Sequence, residues 1–260
     1  MNDLQELKTL LERGEKLVAM VAPSFPLMYE PAEIITKLKA LGFAHVVEVT
    51  AGAKKTNEAV AKLLQENPTS RFITSPCASF VRFVRTKHPQ YLKYLAFAAD
   101  SPMVMTAKLV GEKYPDHRAV FVGPCIVKKL EASEDHPELH LLVITYKELN
   151  QLLSEKNLLT ISIDQQASFD MDEGSTRIYP FDGGLTDSSG IRSFLKDEEI
   201  RIVSGYKNCE AVLSEFENNT KIRFVDILFC NGGCISGPGV DSPLSVEERK
   251  KKIQDYASKV

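Results

Sequence analysis

Much is missing from this 260-residue sequence, and each absence narrows what it can be. No apolar run approaches the roughly 18 residues that a membrane-spanning helix needs, so no membrane segment is expected. The N-terminal MNDLQELKTLLERGEK has the apolar spacing of an amphipathic helix, not the charged, apolar and small-residue order of a signal peptide. A soluble, cytoplasmic protein is the expectation. Charge of one sign is also lacking: Lys and Arg number 32 against 35 Asp and Glu, a net charge of -3, with the two signs interspersed. Such a surface makes no field that would hold a polyanion, so nucleic acid is not an expected partner. Internal repeats and low-complexity tracts are absent, and 43% hydrophobic with 26% charged residues exclude a disordered or fibrous chain. Cysteine is scarce. Five residues, irregularly spaced, are too few to staple a chain of this size. They are expected as free thiols in a reducing compartment, where a non-random spacing points to metal binding or redox chemistry.

What is present is an alternation of short apolar runs with helical periodicity. After a first helix that ends at Gly14, LVAMVAP (17–23) has the length of a buried strand, and PAEIITKLKALGF follows with a helix-starting Pro31. The same alternation predicts strands at 45–49, 71–75, 118–123, 140–145, 200–204 and 224–229. Helices are predicted at 56–65, through Phe83, at 103–112, from Cys125, at 147–153, 188–195 and 209–217, and from Ser245. Between Leu159 and Gly184 the pattern breaks into acidic turns and the segment IYPFDGG, expected as a connection with irregular strands. Repeated strand–helix units predict an α/β fold of two α/β lobes, with mainly parallel sheets flanked by helices. The lobes are expected at roughly 1–155 and 156–260, packed as one domain over 1–260 with the site in the cleft between them.

The cysteines fall at strand ends. Cys77 lies in ITSPCASF, Cys125 in FVGPCIVKKLE, and Cys230 and Cys234 in DILFCNGGCISGPG. Ligands of open α/β sheets bind beyond the carboxyl ends of the strands, so three distant segments can converge on one crevice. Helix N-termini there favour an anionic ligand such as a thiolate cluster, and Gly232-Gly233 lets the backbone come close to an inorganic core. Cys209, on a helix, reads as a small buried hydrophobe. The C-x-x-x-C spacing is weaker than C-x-x-C as a zinc signal, although a structural four-thiolate zinc site stays open on the residues alone.

At these segments the chain resembles the H-cluster domain of iron-only (FeFe) hydrogenases, the C-terminal part of their large subunit, as a divergent minimal or sensory-type member. The family's three signatures are approximately T-S-C-C-P, M-P-C-x-x-K-x-x-E and E-x-x-x-C-x-G-G-C-x-x-G-G-G. Thr74, Ser75 and Cys77 match the first; Pro124, Cys125, Lys128 and Glu131 the second; Cys230, Gly232, Gly233, Cys234, Gly237 and Gly239 the third. Ala22-Pro23-Ser24, Ser101-Pro102 and Gly183-Gly184 are weaker matches. The resemblance implies that Cys77, Cys125, Cys230 and Cys234 ligate a 4Fe-4S cubane, with Cys234 bridging to a di-iron subcluster that carries CO and CN ligands. It further implies that Lys128 pairs with one cyanide, that Pro23 and Ser24 contact the other, and that Ser75 and Glu131 belong to the site. Lys129, beside Lys128, could serve as well.

Five departures alter the expected chemistry. The proton-delivering cysteine before the first ligand is Pro76, which has neither an ionisable group nor an N–H. Gly123 replaces the methionine of the second signature, Met103 replaces a glutamine, and the relay serine and glutamate align with Phe97 and Leu63. Loss of a positioned acid or base commonly removes about 10²–10⁴ in rate. The resemblance therefore implies slow or sensory reversible H2 oxidation and proton reduction; the alternative is a non-catalytic 4Fe-4S binding or sensing module without the di-iron subsite. No further cysteine cluster exists for extra iron–sulfur centres, so no accessory ferredoxin domain is expected, and a ferredoxin or another electron-carrier protein or subunit is the expected partner. H2 and protons are the implied substrates, and maturation proteins the implied partners if the di-iron site is made. Lys54, Lys55, Arg82, Arg85, Lys128 and Lys129 are candidates for a basic docking face.

Overall fold

The computed structural model describes residues 3–259. Amphipathic α1 (Asp3–Glu12) precedes β1 (Leu17–Val21), an apolar strand buried on both faces as a central parallel strand must be. Then come α2 (Pro31–Leu41), β2 (His45–Glu48) and α3 (Thr50–Glu66). After β3 (Phe72–Ile73) the chain forms α4 (Ala78–Lys87), α5 (Pro102–Lys113), β4 (Arg118–Gly123), the short α6 (Lys128–Leu130) and β5 (Leu142–Thr145). The remainder holds α7 (Tyr146–Glu155), α8 (Gly184–Ser188), β6 (Ile200–Ser204), α9 (Tyr206–Asn218), β7 (Phe224–Leu228) and α10 (Val246–Ala257).

The strands form two sheets, ordered β2-β1-β4-β5 and β3-β7-β6, and every pairing within them is parallel. The two-lobed, parallel α/β architecture is thus as the sequence predicts. The sheets do not divide the chain at residue 155, however. β3 pairs with β7, Phe72 opposite Phe224 and Ile73 opposite Val225, and α4 packs its Phe80 and Val84 into the same core as Cys209 and Phe216 of α9. Residues 72–84 therefore belong to the second lobe. β3 is short because Pro76 cannot donate to a ladder. Thr74 makes the last contacts, its N–H donating to Val225 O at 2.9 Å and its Oγ1 accepting from Ile227 N at 3.1 Å.

α3 ties the lobes together. Its first turn packs on α5 so closely that a Cβ on Gly52 would lie 2.2 Å from Thr106 Oγ1, and its Val60 and Leu64 enter the second lobe's core beside Phe224. The connection at 159–184 carries no strand. It adds one parallel bridge, Met171 to Val47, along the edge of the first sheet, and Asp170 accepts from Val46 N at 2.8 Å through its carboxylate. The helix predicted from Cys125 is reduced to α6 and a π-helical turn, Glu131–Asp135. The helix predicted at 188–195 is interrupted at Gly190, whose φ of +72° is left-handed.

Candidate metal centre

The carboxyl edges of the two sheets face each other across a cleft. β1 delivers Pro23 and Ser24 to it, β4 delivers Cys125, β3 leads through Pro76 to Cys77, and β7 runs into Cys230 and Cys234. Cys77 is the N-cap of α4, so its sulfur sits at the positive end of a helix, and the Phe229 N–H points at it from 3.4 Å. Cys125 Sγ lies 3.8 Å from Ser79 Oγ. Gly232 and Gly233 turn the last segment with φ of +77° and +96°. Neither Gly233 nor Gly237 has room for a side chain: a Cβ would stand 2.6 Å from Pro180 O and 2.6 Å from Pro124 O respectively. The glycines thus let the C-x-x-x-C turn close against the Cys125 loop, where Gly239 N donates to Pro124 O at 2.8 Å.

The four thiols lie within one another's electrostatic reach. Burial pushes the Cys234 thiol well up, and Cys77, Cys125 and Cys230 push it further. Burial raises Cys230 to about 12, with Cys77 and Cys125 adding to the rise. Cys77 is raised by burial against the opposing pull of backbone N–H groups and of Lys128. Four thiolates in such a pocket are stable only with a compensating cation, so binding a metal group there displaces protons. Among the described residues no group of three or more His, Cys, Asp or Glu side chains is gathered around a single-ion position. Four cysteine sulfurs are the donor set that an iron–sulfur cube takes. Cys209 Sγ contacts Leu228 O at 3.6 Å from within the hydrophobic core, as expected for a packing residue.

Beside Cys125 and Cys234 opens a cavity with about 590 Å³ of empty space. Ala22, Pro23 and Phe121 from the first lobe and Pro76, Pro180 and Leu228 from the second make its walls mostly apolar. Its polar groups are few. Lys128 reaches it with Nζ donating to Pro76 O at 3.0 Å and ion-paired to Glu131, the two side chains only 12% and 9% exposed. Burial pulls the lysine's pKa down, but Glu131 and the nearby thiols more than reverse this, so its charge is held. The neighbouring Lys129 instead turns away to Glu148 at 2.5 Å. Of the two lysines left open by the sequence, only Lys128 lines the cavity.

Other predicted residues are placed differently from expectation. The Ser75 hydroxyl donates to Ala96 O at 3.0 Å and does not line the cavity, so its side chain is engaged away from the cofactor's space. Glu131 is committed to Lys128, which makes it the residue that positions the cation and not a free acid. Pro23 and Ser24 do line the cavity, and Ser24, fully buried, is held by Tyr146 Oη at 2.8 Å. Tyr146 donates its own proton to Ala22 O at 2.8 Å, so the Ser24 hydroxyl is the donor in their bond. The candidate basic face is not a field of free cations. Lys54 pairs with Glu173, Lys55 with Glu58, Arg82 with Glu134 and Asp135, Arg85 with Asp135, Lys128 with Glu131 and Lys129 with Glu148. Two residues escape sequence reasoning: Tyr146, which holds the lining residue Ser24 without itself lining the cavity, and Tyr179, a lining residue within the irregular IYPFDGG segment. The one available signal for Tyr179 is its position just before Gly183-Gly184.

Two α/β sheets whose strand ends bring four thiols and a buried cation to one cleft define a cysteine-rich metal-centre fold. Residues 15–238 match the family model described as iron only hydrogenase large subunit, C-terminal domain, and the chain belongs to that family. Iron hydrogenase 1 of Clostridium pasteurianum is 25% identical over 259 residues, covering 80% of this chain and 45% of that protein. The cytosolic Fe-S cluster assembly factor NAR1 of Yarrowia lipolytica is 29% identical over 140 residues, 46% of this chain and 28% of the relative. That of Encephalitozoon cuniculi is 25% identical over 199 residues, 69% of this chain and 54% of the relative. The chain thus spans about half or less of these relatives' lengths. Among solved structures, FeFe-hydrogenase HydA1 from Chlamydomonas reinhardtii shares the fold with a TM-score of 0.74 at 18% identity, over 99% of this chain and 88% of the other. No helix among the described residues is long and apolar enough to cross a membrane.

Proposed function

We propose that the chain is an iron–sulfur protein of the hydrogenase type, with a 4Fe-4S cubane on Cys77, Cys125, Cys230 and Cys234 and a di-iron group in the adjoining cavity. The cavity itself carries this reading: an apolar-walled chamber next to Cys234, with room beyond the thiols and a buried cation on its wall. When bound, the paired clusters supply electron storage and an open iron position at which H2 and protons interconvert. Lys128, fixed by Glu131 and Pro76 O, offsets the negative charge that thiolates and cyanides bring, and orients one end of the group. Pro23 and Ser24 form the opposite wall, with the Ser24 hydroxyl bound by Tyr146. The apolar lining excludes water and so strengthens each polar contact inside.

Pro76 carries the wall facing Lys128 and brings no transferable proton. Turnover is therefore slow, and a sensory role or a role in redox sensing follows, with electrons entering from a ferredoxin or another soluble carrier. A second reading, a cubane-only module without catalysis, is favoured by Pro76 together with the similarity to the cytosolic Fe-S cluster assembly factors. Infrared spectroscopy of the reconstituted protein, loaded with a synthetic di-iron precursor bearing CO and CN, separates the two. Sharp CO and CN bands that shift under H2 are the expected result. An intact cubane that takes up no CO or CN bands would assign the chain to the second reading.

A further inference from the structure

Tyr179 is the residue of the cavity whose placement is hardest to explain by packing. Its hydroxyl oxygen is sealed from solvent and has no hydrogen-bond partner among the described residues. Leaving a buried phenol unpaired costs about 1–3 kcal/mol, which a phenylalanine at this position would avoid. Tyr179 lines the cavity beside Cys125 and Cys234 together with Pro76. It also lines a second, smaller cavity of about 10 Å³, room for a single water, whose walls include Thr74, Pro76, Leu228 and Asp226.

Asp226 is 4% exposed, on the strand that leads to Cys230. Thr186 donates to its Oδ2 twice, from N at 3.0 Å and from Oγ1 at 2.8 Å. Burial pushes its carboxyl up to about 6 against those two bonds, and Asp187 and Asp182 push in the same direction. Tyr179 completes the titratable groups acting on it, for the two are within electrostatic reach. Of the flanking acids, Asp182 is held by Lys250 at 3.3 Å, and Asp187 is about half exposed on α8.

Resting on the proposed cluster site, we propose that Tyr179 and Asp226 form a proton route into the cavity beside Cys234 from the second lobe. It does not restore the direct hand-off that Pro76 removes: the proton crosses a buried phenol and a water, so turnover stays slow. The phenol passes its proton to a basic atom of the reduced group, and the same oxygen takes a proton from the Asp226 carboxyl through a water in the smaller cavity. Thr74, Tyr179 and Asp226 give that water polar partners. Asp226 is then reprotonated from solvent at the α8 edge. One proton enters for each electron that a low-potential carrier delivers, and no phenolate accumulates.

The test uses the full chain reconstituted with the cubane, as wild type, Tyr179→Phe and Asp226→Asn. Equal cluster absorbance in all three keeps folding and assembly out of the comparison. The cubane potential is titrated by electron paramagnetic resonance across a pH series. Added negative charge raises the proton affinity of Asp226, so the wild-type potential is expected to fall with pH from about 6 upward. Asp226→Asn is expected to be flat over that interval, and Tyr179→Phe to show a weaker slope. After di-iron loading, Tyr179→Phe should also shift the CO or CN bands, because a donor has left the cavity. A flat wild-type titration, or an Asp226→Asn protein that keeps the wild-type slope, overturns the proposal. So does a Tyr179→Phe protein unchanged in slope. If the wild type shows the slope and loses it in Asp226→Asn, but never takes up CO and CN bands, the proton route stands and the di-iron reading fails.

Discussion

Lys128 and Glu131 form a buried ion pair, and its energetics follow from that burial. Removing one partner leaves an uncompensated charge, which costs about 3–5 kcal/mol. Glu131→Gln is expected to lose that much in denaturant unfolding, whereas Lys128→Met with Glu131→Leu recovers most of it. The five cysteines divide in the same way. Cys230→Ala is expected to lower the iron bound per chain, and Cys209→Ala to leave it unchanged, with absorption and iron analysis as the readout. A third residue governs pH dependence. Burial raises the Glu48 carboxyl to about 7 even though Arg177 and Tyr256 both bond it. The folded chain thus holds this proton more tightly than the unfolded chain does. That contribution is complete below about pH 4.5 and is lost as pH rises through about 7. Urea titrations of Glu48→Gln should show a shallower loss of stability over that interval, the remaining slope coming from Asp226, which acts with the same sign. The four cluster cysteines are legible in the sequence because each of their three segments follows an apolar run. Tyr179 is not, since nothing in one sequence says whether a phenol faces a partner or a cavity.

The turn between β7 and Cys234 decides where the last thiol stands. Gly233→Ala combines a left-handed φ with a Cβ 2.6 Å from Pro180 O, in a turn bridged to Phe181. A loss of about 2–3 kcal/mol and reduced iron retention are expected. Gly190→Ala, with φ +72° but open space around it, is expected to cost only about 1 kcal/mol and to leave iron binding intact. Thermal unfolding and iron analysis of the two variants check both. Strands β1, β4 and β7 are readable from runs of buried residues, since apolar periodicity reports burial directly. The segment after Cys125 is not, because its helix yields to a π-helical turn at Glu131, next to the buried Lys128 pair. That outcome depends on tertiary contacts which helical periodicity does not encode.

Across the whole molecule, the cleft exists because β3 and α4 leave the first half of the chain to join the second sheet. Cys77 therefore faces Cys125 from the opposite lobe, and the site closes only when both lobes are folded and α3 is packed between them. Sequence order suggests a boundary near 155, but strand pairing is a long-range property that no local pattern reveals. Everything proposed for the cleft depends on its four thiols sharing one cluster. Iron and acid-labile sulfide are the quantities to count, on the anaerobically reconstituted chain, with Mössbauer spectroscopy to identify the form. About four of each per chain, in the spectrum of a cubane, is the predicted result. A folded chain that binds zinc stoichiometrically, or that holds no iron with all four cysteines intact, would contradict it.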